Sequence, residues 1–123
     1  MNQPVDIVRV YDDAGREANE YRVLVDRLWP RGRSKDAIDQ DAWVKDATPS
    51  AELRRWYGHV PERFAEFSRR YRAELALGPG DDVVARLREL SKVRRLVLLT
   101  GTRDIEHSGA TVLRDVIVGV DKT

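Results

Sequence analysis

Residues 22–35, RVLVDRLWPRGRSK, carry Arg27, Arg31, Arg33 and Lys35 directly beyond a run of apolar side chains. Arginine presents a planar fork of donors that matches phosphate or carboxylate bidentately, so cations gathered this way suit an anion. A second polar group, Arg103, Asp104 and His107, follows another apolar run in LLTGTRDIEH. His59 and His107 are the only histidines. Imidazole titrates near neutrality, so either could move a proton as acid or base, with Asp104 as the partnering carboxylate. Two imidazoles and a carboxylate also have the chemistry of a metal site, but no ligand spacing calls for one. No metal and no cofactor is expected.

A plainer reading stands beside each of these. Loop arginines usually stay solvated or pair with nearby Asp and Glu, and 22 Lys and Arg here face 21 Asp and Glu. That reading suits Arg33 and Lys35. Arg27 and Arg31 flank a Trp-Pro step beside a buried segment, which favours a shared role, although Asp26 could simply hold Arg27. The histidines could be surface residues. Trp43, Trp56 and Tyr57 are expected in the core, or lining a pocket.

What would position these residues is legible from patterning. VDIVRVY (5–11) alternates as a first strand. YRVLVDRL (21–28) is a second, and consecutive apolar residues at 23–25 favour a strand covered on both faces. RRLVLLTG (94–101) is a third of the same kind. Residues 34–47 read as a short helix or irregular segment. TPSAELRRWYG predicts a helix capped by Thr48, with Pro49 in its first turn and Gly58 ending it. Phe64, Phe67, Tyr71 and Leu75 recur at helical spacing, with Glu66–Arg70 and Arg70–Glu74 pairs on the outer side. GPG (78–80) breaks that helix. Asp81 is then expected to cap a helix with Val84, Leu87 and Leu90 inward, and Asp104 to cap a last one with Ala110, Leu113, Val116 and Ile117 inward.

Apolar strands separated by helices predict an α/β fold, a small mainly parallel sheet flanked by helices, as a single domain over 1–123. If the second and third strands are parallel neighbours, their carboxyl ends share one edge, where open α/β sheets bind ligands. Arg27, Arg31, Arg103, Asp104 and His107 would then meet, and the amides starting the last helix would favour an anion and a neutral His107.

Composition narrows the function classes. With 41% hydrophobic and 35% charged residues, the chain reads as globular with a heavily charged surface. A formal net charge of +1 makes nucleic acid an unlikely partner by bulk charge. Cysteine is absent, which excludes disulfides and thiol chemistry. No apolar run approaches the roughly 20 residues that span a bilayer. MNQPVDIVRV lacks the pattern of a signal peptide, so a cytoplasmic location and no membrane partner are expected.

The stretches YRVLVDRLWPRG, AWVKDATPSAELRRWYGH, FSRRYRAEL and LVLLTGTRDIEHSGATVL closely resemble the signature of the domain-of-unknown-function family 488, the YeaO-like proteins, from about residue 7 to 117. The resemblance implies a small bacterial α/β domain without an established activity. Among the matching positions are Lys45, Arg54 and His59, which the neighbouring helical segment would bring to the crevice. The chain departs from the family pattern at Val60 and Phe64, where an Asp and a Trp are typical, and at Ser108 and Gly109, where an Asn and a His are typical. Any chemistry those side chains perform in relatives would be diminished here.

The favoured expectation is therefore a binder of a small phosphate- or carboxylate-bearing ligand, with Arg27, Arg31, Lys45 and Arg54 holding the anion. His59 or His107, with Asp104, would act if there is acid/base catalysis. A non-enzymatic interaction or regulatory protein, or a nucleic-acid-associated module, are the alternatives. Oligomeric state is not legible.

Overall fold

The computed structural model describes residues 5–120. The sheet is built from β1 (Val5–Arg9), β2 (Glu20–Leu24), a short β3 (Ala42–Trp43) and β4 (Arg95–Thr100). All pairings are parallel, and the strand order is β1-β4-β2-β3. The expected pairing of the two apolar strands is therefore present: β2 lies beside β4, with Leu24 opposite Leu99. The segments beyond these two strands leave the sheet at the same edge.

Period-two alternation sorts the strand residues onto two faces. Val23, Val25, Leu96 and Leu98 join one core cluster with residues of the four helices. Those helices are α1 (Ala51–Tyr57), α2 (Phe64–Leu75), α3 (Gly78–Ser91) and α4 (Gly109–Val118). Leu24, Val97 and Leu99 face the other way, into a smaller cluster with Val10 and Ile38, against which Trp29 and Trp43 pack. Loops and 3-10 turns cover this second face. That is why residues 23–25 read as one apolar run although helices cover only one side.

The helical expectations for Phe67, Tyr71 and Leu75 hold, as all three are buried, and Gly58 ends α1 in the left-handed conformation. Several local expectations are corrected. Ser50, not Thr48, caps α1, accepting from the Leu53 N–H; the Thr48 hydroxyl instead donates to the Lys45 carbonyl. Glu74 does not pair with Arg70. It accepts from both the N–H and the hydroxyl of Ser50, a half-buried site where a carboxylate gains more than in an exposed ion pair. GPG opens α3 rather than separating two helices: Gly78 turns the chain at φ 54°, and Pro79 is tolerated in a first turn whose N–H groups lack helical partners. No side-chain cap from Asp81 is made there; Leu77 holds the cap position. Residues 34–47, expected as a short helix or irregular segment, are irregular with two 3-10 turns, and the edge strand β3 within them was not foreseen. Asp104 caps only the 3-10 turn Ile105–His107, and Ser108 caps α4, so His107 precedes that helix.

One buried cation organises the amino end of β2. Arg22 is only 1% exposed. Its guanidinium donates to the Asp39 carbonyl at 2.7 Å, to Glu20 at 2.8 Å and to Asp13. Its own N–H donates to Asp41, and Arg16 holds Asp39 and Asp41 from outside. These bonds pin the two loops that replace crossover helices on that face. Arg22→Ala would leave Glu20 buried without its partner, so a loss of about 3–5 kcal/mol in unfolding free energy is expected from denaturant melts. A change below about 1 kcal/mol would show the cluster to be dispensable.

Candidate functional site

Asp26 follows β2 and closes the sheet edge. Its carboxylate accepts from the Thr100 hydroxyl at 2.6 Å and from the Gly101 N–H at 2.7 Å, while its carbonyl accepts from the Trp43 indole at 2.6 Å. The expectation that Asp26 might hold Arg27 is thus corrected: it holds β4. Burial pushes its carboxyl above the ordinary range, and the Thr100 and Gly101 bonds offset only part of that. Gly101 is wedged in place. A Cβ there would lie 3.3 Å from both the Asp26 carboxylate and Pro30.

Beyond this closure lies a cleft of about 630 Å³, the size that suits a small-molecule ligand. Arg27 and Arg31 line it from the loop after β2. That loop is braced at its backbone: the Tyr11 hydroxyl donates to the Arg31 carbonyl and the Trp29 indole to the Arg33 carbonyl, both at 2.7 Å, and Gly32 turns the chain at φ 75°. From the opposite wall, α1 and the turn after it contribute Arg54, Arg55 and His59. His59 follows Gly58 in the left-handed region, at φ 58°, a conformation costing a non-glycine residue about 1–3 kcal/mol. His107, Ser108, Gly109 and Ala110 close the third side.

Tyr57 ties these walls together. Its hydroxyl donates to the His107 carbonyl at 2.5 Å and its ring stacks on Phe67, with centroids 4.3 Å apart. Burial, and secondarily the Asp104 charge, raise its pKa, so the phenol remains a donor. A smaller lobe of about 370 Å³ adjoins the cleft and holds Arg103 and Asp104. There Asp104 accepts from the His107 N–H and meets its Nδ1 at 2.8 Å. Asp104, Glu106 and His107 bring one ligand atom each within 4.8 Å of one another, largely in solvent.

Arg27, Arg31, Arg54, His59 and His107 thus line one cleft, and Asp104 lies in the adjoining lobe. Lys45 lines neither. Its ammonium sits 3.9 Å from the centroid of the Trp43 ring, where a cation–π contact holds it. Arg33 is likewise engaged, over Tyr11. Sequence reasoning missed Arg55, Tyr11 and Pro49 as lining residues. Only the Arg54-Arg55 repeat offered a signal.

Some cations of the protein are paired and others are not. Arg16, Arg22, Arg69, Arg70 and Arg95 each meet a carboxylate. Among the described residues, the Arg27, Arg31, Arg54 and Arg55 side chains form no ion pair, and outside the cleft the same holds for Arg63, Arg86, Arg88 and Arg94. The Arg54 Nε is in addition buried without any hydrogen-bond partner.

A family profile described as "Inactive DUF488-N3 subclade" matches residues 4–120. The chain is 43% identical over 115 residues to the uncharacterized protein Rv3073c of Mycobacterium tuberculosis, covering 94% of each chain. It is 42% identical over 108 residues to the uncharacterized protein YeaO of Escherichia coli, covering 87% of this chain and 90% of that one. No solved structure matches.

The Asp26 closure generates a pH signature. A folded carboxyl with a raised pKa binds its proton more tightly than the unfolded one. Its contribution to stability is therefore present below the unfolded pKa, near 3.9, and declines as pH rises through the folded value. In denaturant melts across this range, the stability of the natural chain minus that of Asp26→Asn should fall with rising pH. A flat or rising difference would show that burial does not raise the pKa of this carboxyl.

Proposed function

This chain belongs to the DUF488 family, in the subclade described as inactive, and on that footing we propose that it binds a small anion in the cleft without transforming it. The observation that carries the reading is the convergence of Arg27, Arg31, Arg54 and Arg55 on one cleft; the Arg54 Nε is in addition buried without a partner, as is that of Arg72 outside the cleft. A buried donor without an acceptor costs free energy, about 1–3 kcal/mol or more for a charged group. A phosphate or carboxylate oxygen would supply the acceptor. The Asp26 carboxylate, which also lines the cleft, is already committed to Thr100 and Gly101.

Binding alone suits the remaining groups. Ser108 is the residue nearest to a nucleophile in the lining, and its hydroxyl donates to the Ile105 carbonyl at 2.6 Å. His107 has an orienting carboxylate in Asp104 but no activated partner to serve. A ligand-sensing or ligand-carrying role follows. Among the described residues no helix is long and apolar enough to cross a membrane.

Titration calorimetry with inorganic phosphate tests this. Arg31→Ala should weaken binding by about 1.5–3 kcal/mol, the range for a hydrogen bond to a charged group, while thermal stability changes little because the side chain is exposed. Arg54→Ala should abolish measurable binding. Arg33→Ala, whose guanidinium lies over Tyr11, serves as the control and should leave affinity unchanged. Millimolar phosphate or carboxylate without heat or thermal shift on the natural chain would refute the reading.

A further inference from the structure

We infer that the ligand is a nucleoside diphosphate, seated across the cleft and its adjoining lobe; this rests on the anion-binding reading above. The two spaces adjoin, with Tyr57, His59, Gly101, Thr102 and His107 lining both. They are chemically unlike. The smaller lobe adds Arg103 and Asp104 and has no aliphatic wall. The main cleft has arginines and also an apolar side made by Leu28, Trp29, Pro30 and Pro49.

Leu28 is the telling residue. It is 70% exposed, between Arg27 and Trp29 on a braced loop. A lone exposed leucine means little, but this one belongs to the lining of a cleft rich in unpaired cations. An apolar rim beside guanidinium groups complements a ligand with a flat, weakly polar body joined to strong negative charge. A nucleoside linked to phosphate has that form.

Charge sets the number of phosphates. Arg27, Arg31, Arg54 and Arg55 in the cleft, and Arg103 in the lobe, have no carboxylate partner among the described residues. One phosphate leaves most of that charge uncompensated. Two linked phosphates neutralise more of it and reach the second lobe. There the Asp104 carboxylate is bonded to the N–H and the ring of His107, and Arg103 is the cation beside it. The nucleoside then rests on the Leu28 side, the inner phosphate at Arg54 and the outer one at Arg103.

The test compares orthophosphate, pyrophosphate and adenosine diphosphate by titration calorimetry on the full chain. Pyrophosphate should bind at least tenfold more tightly than orthophosphate, and adenosine diphosphate tighter still. Arg103→Ala, with Arg103→Gln as a second variant in case the first misfolds, should bring pyrophosphate to the orthophosphate level without affecting orthophosphate itself. Leu28→Ser should remove the advantage of adenosine diphosphate over pyrophosphate. Orthophosphate binding that depends on Arg54, with no gain for pyrophosphate or no gain for the nucleoside, would overturn this inference and leave the anion reading standing. No binding of any of the three would overturn both.

Discussion

The carboxylate of Asp26 is the constraint on which the ligand-facing edge depends. Parallel strands supply hydrogen bonds along their length but leave their ends free to splay. Here one side chain receives the Thr100 hydroxyl and the Gly101 N–H, and the same residue's carbonyl receives the Trp43 indole. Three strand ends, those of β2, β3 and β4, are joined at a single residue. Burying a carboxyl there carries a desolvation cost, seen in its raised pKa, and the two donors offset part of it. The closure also explains Gly101, where a side chain would press on Asp26 and Pro30 together.

From this closure the charge of the protein divides in two. At the amino end of β2, cations are consumed internally: Arg22 and Arg16 meet Asp13, Glu20, Asp39 and Asp41, and hold down loops that lack helices. Beyond its carboxyl end, arginines face a cleft and meet no carboxylate among the described residues. A net charge of +1 does not reveal this local grouping, because acids elsewhere, such as Glu66 on α2 beside Arg69 and Arg70, balance it in the total. Bulk charge therefore argues against a nucleic-acid surface while leaving room for a concentrated local site.

Strong apolar runs made the long elements legible. Residues 23–25 and 96–99 had to be sheet interior, and Phe67, Tyr71 and Leu75 had to share a helix face. The short elements were not. β3 has two residues, too few for any periodicity, and exists because the Val44 N–H reaches the Leu24 carbonyl. Thr48 was expected to cap α1, and the role fell instead to Ser50, which Glu74, distant in sequence, bonds. Asp104 was credited with a helix that starts at Gly109, because the 3-10 turn between them has the same local signature. The leader-free reading of residues 1–10 falls partly on 1–4, outside the described residues.

The candidate site divides along the same line. Sequence alone determined that Arg27, Arg31 and His107 follow apolar strands, and that parallel neighbours would bring them to one edge, because burial and chain direction are written in local patterning. It also determined the family, through long stretches of matching residues. Only the tertiary structure decided which cations are free. Lys45 is spent on Trp43 and Arg33 on Tyr11, whereas Arg54 keeps a buried, unpartnered Nε. Pairing depends on which distant acid or ring arrives within a few ångströms, and that is set by packing between elements far apart in the chain.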